Sequence, residues 1–151
     1  MKRRGADICA RRFGVWPMLG PLFAAGLTAM QPVSATDDTL VLEGVCEYPE
    51  AVRQHRLETM LAICNQLTIA RDGGDMAISF GPRGLGPSMV FTGKAEGKGM
   101  DVRQVTLRRG EIVMAGGSCE IFYADGEIAQ VSCLASEDGR GWAGNFVHAR
   151  P

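Results

Sequence analysis

The sequence predicts a mainly β fold: a small antiparallel β-sandwich or barrel with one short helix, stapled by two disulfides. Three observations predict it. Turn signals recur at intervals of roughly 8–12 residues, the spacing of short-stranded all-β domains. The segments between them alternate apolar and polar residues, as half-buried strands do. Four cysteines, at 46, 64, 119 and 133, form an even set downstream of a start that reads as an export signal.

That start occupies residues 1–35. Lys2, Arg3, Arg4, Arg11 and Arg12 face a single acid, Asp7, and Phe13 to Met30 carries no charge. Pro32 closes the apolar run, and Val33 and Ala35 are the small residues of a cleavage site, so a signal peptide cut after Ala35 is expected. The competing reading is an uncleaved anchor, but Pro17, Gly20, Pro21 and Gly26 interrupt the run. Cys9 precedes the apolar run and is expected to be discarded. Residues 36–151 then form one disulfide-containing β-rich domain. They hold 11 basic and 16 acidic residues, a net charge of -5. Such a surface is repelled by phosphate backbones and anionic lipid, which excludes an electrostatically driven nucleic-acid binder.

Thr39 to Val45 reads as the first strand. Pro49 to Ile63 reads as a short helix: Val52, Leu57, Met60, Leu61 and Cys64 recur at three- and four-residue steps, and Pro49 suits a helix start. A strand beginning near Leu57 is the competing reading. Leu67 to Arg71 and Met76 to Phe80 flank Gly73-Gly74. With those glycines as a two-residue turn, Ile69 faces Ile78 and Leu67 faces Phe80, while Thr68 faces Ser79 on the other side. Gly81 to Pro87 holds three Gly and two Pro and reads as a loop. Ser88 to Thr92 is a short strand, and Gly93 to Gly99 a turn region. Asp101 to Arg108 and Glu111 to Ala115 form a hairpin around Arg109-Gly110; Val102 and Val105 are out of phase, which predicts a bulge.

Cys119 to Cys133 is a further hairpin around Asp125-Gly126. A three-residue loop at Asp125–Glu127 sets Cys119 opposite Cys133, Ile121 opposite Val131 and Tyr123 opposite Ala129. Directly opposed cysteines are close enough to bridge. The predicted disulfides are therefore Cys119–Cys133 and, by elimination, Cys46–Cys64. Cysteine spacings of 18, 55 and 14 lack the close pairs of a zinc site, so no metal is expected. After a polar turn at Ser136 to Gly141, Trp142 to His148 is the last strand, with Trp142, Gly144 and Phe146 on one side.

Catalytic patterns are sparse. His55 sits among Arg53, Gln54 and Arg56 and reads as a solvated position. His148, near Asn145, is a candidate general base only if an acid and a nucleophile face it, and no nucleophile motif accompanies it. Asp37-Asp38, Asp72 with Asp75, and Glu137-Asp138 read as solubilising terminal or turn residues. Met60, Met76, Met89, Met100 and Met114 are scattered through apolar positions and read as core rather than a copper site. The loop Gly81 to Pro87 is the expected contact segment, with Arg83 and Leu85 as its exposed reading residues.

The resulting expectation is a periplasmic or secreted, non-catalytic binding or accessory protein of the cell envelope. Its partner would be an envelope or extracellular protein or polymer. No cofactor, no nucleic acid and no membrane span after cleavage are expected. The alternative is a small envelope-polymer hydrolase using His148 and an acidic residue.

Overall fold

A computed structural model describes residues 38–149 apart from Arg56. The expected signal peptide and its cleavage point lie outside the described residues. The strands are β1 (Asp38–Cys46), β2 (Thr59–Leu61), β3 (Gln66–Asp72), β4 (Asp75–Gly81), β5 (Met89–Glu96), β6 (Gly99–Leu107), β7 (Ile112–Val113), β8 (Gly116–Ala124), β9 (Glu127–Glu137) and β10 (Arg140–His148). One helix, α1, spans Glu50–Gln54.

Eight of these strands close into an antiparallel barrel in the order β1-β3-β4-β5-β6-β8-β9-β10, and β10 returns to β1 through Gly44 opposite His148 and Cys46 opposite Phe146. Each strand pairs with the next long strand in the chain, so the barrel is of the up-and-down kind. β2 runs parallel to β10, and β7 pairs with β6 as a side ribbon. Closure removes the free sheet edges that a sandwich would have to protect.

The predicted register holds in the local hairpins. Gly73-Gly74 joins Asp72 to Asp75 and sets Leu67 opposite Phe80 and Ile69 opposite Ile78. Cys119 lies opposite Cys133 and Ile121 opposite Val131. Both disulfides are present, Cys46–Cys64 and Cys119–Cys133. The bulge in β6 is present as well: Thr92 pairs with Gln104 and Gly93 with Val102, leaving Arg103 extra, which turns both Val102 and Val105 inward.

Three elements differ from expectation. The turn between β8 and β9 is two residues, Asp125 and Gly126, both at positive φ (55° and 84°) as a twisted two-residue turn needs. The residue count is made up by a bulge at Ala129, so Tyr123 faces Ile128 rather than Ala129. The turn expected over Gly93 to Gly99 is confined to Gly97 and Lys98. β5 continues to Glu96, and Gly93 sits within it because a Cβ there would collide with the Asp101 carbonyl oxygen across the bulge. The helix stops at Gln54 rather than Ile63. Beyond it, the Gly141 N–H donates to the Glu58 carbonyl and the Ala62 N–H to the Ala143 carbonyl, both at 2.8 Å, so β10 recruits this stretch as a strand.

Inward positions fill the barrel. Phe80, Phe91 and Phe146 have no exposed surface. The Phe80 and Phe91 rings meet edge to face at 5.6 Å, the arrangement favoured by their quadrupoles. Two wall glycines make room for rings. A Cβ on Gly144 would lie 2.6 Å from the Phe80 ring, and one on Gly44 would lie 2.6 Å from the Phe146 ring.

Residues between β1 and β3 form an excursion closed at its base by Cys46–Cys64. The Tyr48 hydroxyl shares its proton between the carbonyls of Ala62 at 2.7 Å and Ala143 at 3.1 Å, tying the excursion to β10. Burial pushes the Tyr48 phenol from 10 up to about 12. The folded state thus holds this proton more tightly than the unfolded chain. Its contribution is complete below pH 10 and is lost as pH rises from 10 through about 12. Tyr48→Phe is expected to cost about 1 kcal/mol at neutral pH, the usual net value of such a hydrogen bond. The variant's melting curve should also lose the part of the alkaline decline that Tyr48 supplies; parallel pH profiles for the two proteins would refute this.

Candidate functional site

The two ends of the barrel differ. At the end where β1 begins and β3 and β10 finish, the inward side chains do not meet. Leu40, Leu42, Ile69, Tyr123, Ile128 and His148 surround an open cavity of about 430 Å³, with Asp38, Arg71, Gly126 and Glu127 at its rim. Leu42 and Ile128 rest on the core below, and Ile69 is itself core, so the floor is apolar. Leu40 is inward in phase with Leu42 yet 42% exposed, because the wall stops there. Tyr123 is in phase with Cys119 and Ile121 and 45% exposed for the same reason.

His148 belongs to this mouth. Its Nδ1 lies 3.0 Å from the Ile128 carbonyl oxygen. A carbonyl only accepts, so Nδ1 carries the hydrogen, and in the neutral ring Nε2 is left as an acceptor. Asn145 does not join it: alternation along β10 puts Asn145 on the other face, where it accepts from Gln130 and donates to the Glu47 carbonyl. Among the described residues no carboxylate forms an ion pair with His148. No Ser, Thr or Cys lines the cavity. The arrangement offers an apolar surface, a guanidinium and phenol at the rim, and one ring nitrogen as acceptor. Asp38 and Glu127 add two carboxylates to its edge, and such a set can bind and orient a group that is apolar at one side and polar at the other.

Arg83 and Leu85 lie at the opposite end, on the loop from β4 to β5. The Arg83 N–H donates to Asn65 Oδ1 at 2.7 Å, and its guanidinium pairs with Glu43. The Ser88 hydroxyl lies 3.0 Å from the carbonyls of both Ile63 and Phe80. The loop is therefore tied down at both ends. Arg83 is engaged with Glu43, and Leu85 is 66% exposed. The structure brings neither residue near His148. His55 is exposed and caps the end of α1.

The mouth residues Leu40, Arg71 and Tyr123 were missed in the sequence. A usable signal existed: each stands in phase with core residues of its strand and within two residues of a strand end or turn. Arg71 follows Leu67 and Ile69 on the inward side, immediately before the Asp72 turn.

No family model matches the sequence, and no curated protein and no solved structure matches it. The two disulfides point to an oxidising setting, extracellular or periplasmic. Among the described residues no helix is long and apolar enough to cross a membrane.

Proposed function

We propose that the protein is an exported, non-catalytic binding protein of the cell envelope, which takes up an apolar group at the barrel mouth. One observation carries this reading: a cavity with an apolar floor stands open at one end of the barrel, against a middle packed by the barrel's own side chains. Barrels of eight strands are just wide enough to be packed or to admit a small guest at the mouth. Leu40, Leu42 and Ile69 supply the apolar contact, and Arg71, Tyr123 and His148 address a polar edge on the guest. The physiological partner is an envelope or extracellular protein or polymer presenting such a group.

The test uses 8-anilinonaphthalene-1-sulfonate, whose rings and single sulfonate match that surface. Saturable fluorescence enhancement with one site per chain is expected. Leu40→Glu should weaken it about tenfold, since one well-covered leucine contributes roughly 1.5–3 kcal/mol. Leu40 is partly exposed, so the variant should retain the parent's melting temperature. Dye binding that is absent, or unchanged in Leu40→Glu, would remove the mouth as the site.

A hydrolase acting on an envelope polymer is the second reading. Only one observation favours it: His148 shares its cavity with Asp38 and Glu127. Turnover of such a polymer that disappears in His148→Ala would replace binding by catalysis.

A further inference from the structure

A larger hollow, about 880 Å³, lies at the end of the barrel opposite the mouth. β2, β7 and the β9–β10 turn enclose it. Trp142, Leu107 and Val113 form its floor, and Leu57 and Met60 its apolar rim. Leu57 is 96% exposed and Met60 53% exposed, on an excursion held in place by Cys46–Cys64. Exposed apolar side chains beside an open hollow are the composition of a surface that a partner can cover. Among the described residues the wall adds four carboxylates, Glu58, Glu111, Glu137 and Asp138, against one guanidinium, Arg140. Among the described residues none of the four makes an ion pair. Arg108 and Arg109 stand on the adjoining β6–β7 turn and do not line the hollow.

We infer that this end docks a cationic protein, which places Lys or Arg side chains among the four carboxylates while its apolar residues cover Leu57 and Met60. Charge selects that occupant. A second copy of the chain would bring a domain of net charge -5 to the same carboxylates, and anionic lipid would be repelled in the same way. An uncharged peptide would satisfy the rim and leave four carboxylates to be desolvated without partners. The site is separate from the mouth, so either can fail without the other.

Trp142, on the floor, is the sole tryptophan outside residues 1–35 and reports occupancy directly; where those residues are retained, Trp16→Phe isolates its signal. The probe is an eight-residue peptide alternating arginine and leucine, compared with its glutamate–leucine counterpart. A saturable change in Trp142 emission is expected with the first and none with the second. Affinity should fall about tenfold or more between low salt and roughly 0.5 M salt, as exposed charges become screened. Converting Glu58, Glu111 and Glu137 to Gln and Asp138 to Asn together should abolish the response. Arg140→Glu should tighten binding about threefold and Leu57→Ser weaken it about fivefold, by the same charge and area reasoning. These two variants keep the test sound if the quadruple variant unfolds. The Leu40→Glu change at the mouth should leave peptide binding as it was. Three results would each overturn the inference: no saturable response, equal response to the acidic peptide, or weaker binding in Arg140→Glu.

Discussion

Phe80→Ala is expected to lower the free energy of unfolding by about 4 kcal/mol, within the range of roughly 3–5 kcal/mol for truncating a buried phenylalanine. Three features put it near the middle of that range or above. The ring is fully buried, it meets Phe91 edge to face at 5.6 Å, and its far side rests where Gly144 has no side chain. Nothing on the β10 side can move in to fill the gap, because a glycine has no atoms to offer and a closed barrel resists local collapse. Urea denaturation followed by circular dichroism measures the change. Typical domains hold only about 5–15 kcal/mol in total, so the loss is large. A cost below about 1.5 kcal/mol would show that the ring is not tightly packed in solution.

The second large effect concerns Cys119–Cys133. Replacing both cysteines with alanine is expected to cost about 3 kcal/mol, the chain-entropy value for a loop of this length. The two residues are 2% exposed and belong to the apolar core, so part of the cost is lost packing rather than lost cross-linking. Denaturation of the double variant beside the parent measures the sum, and a cost under about 1 kcal/mol would contradict it. Intact mass after thiol alkylation checks the pairing: Cys46, Cys64, Cys119 and Cys133 should react only after reduction. Reaction of any of the four beforehand would mean that the bridges do not form.

What could be read from the sequence was what short-range geometry decides. Gly73-Gly74 permits one register for its hairpin, and the apolar face then sorts Leu67, Ile69, Ile78 and Phe80 together. The opposed cysteines followed from the same reasoning, even with the wrong turn length. A two-residue turn plus a bulge at Ala129 conserves the count, so Cys119 still meets Cys133. Barrel and sandwich were not separable, because closure rests on Gly44 meeting His148 and Cys46 meeting Phe146, pairs too distant in sequence for alternation to report. A strand near Leu57 was legible as the alternative to the helix, but the choice between them was not, for a related reason. The helical spacing of Leu57 to Leu61 is real, and hydrogen bonds from β10, a late strand, override it. His148 was visible as a titratable residue but without neighbours. Alternation gives the inward phase of Leu40, Arg71 and Tyr123, but that they meet at one mouth depends on the strands forming one ring.

The glycine at 144 ties two distant positions into a single choice. The space Phe80 occupies is the space a side chain at 144 would need, so in homologous sequences the two are expected to trade volume: a larger residue at 144 with a smaller one at 80, and the reverse. Gly144→Ala should therefore be poorly tolerated alone and markedly better tolerated with Phe80→Leu, a non-additive pair measurable as a double-mutant cycle. A lineage could relocate bulk from one wall of the barrel to the other by that exchange, but it could not open a passage from end to end by changing either position gradually. The mouth and the far hollow therefore stay apart, with the packed middle of the barrel between them.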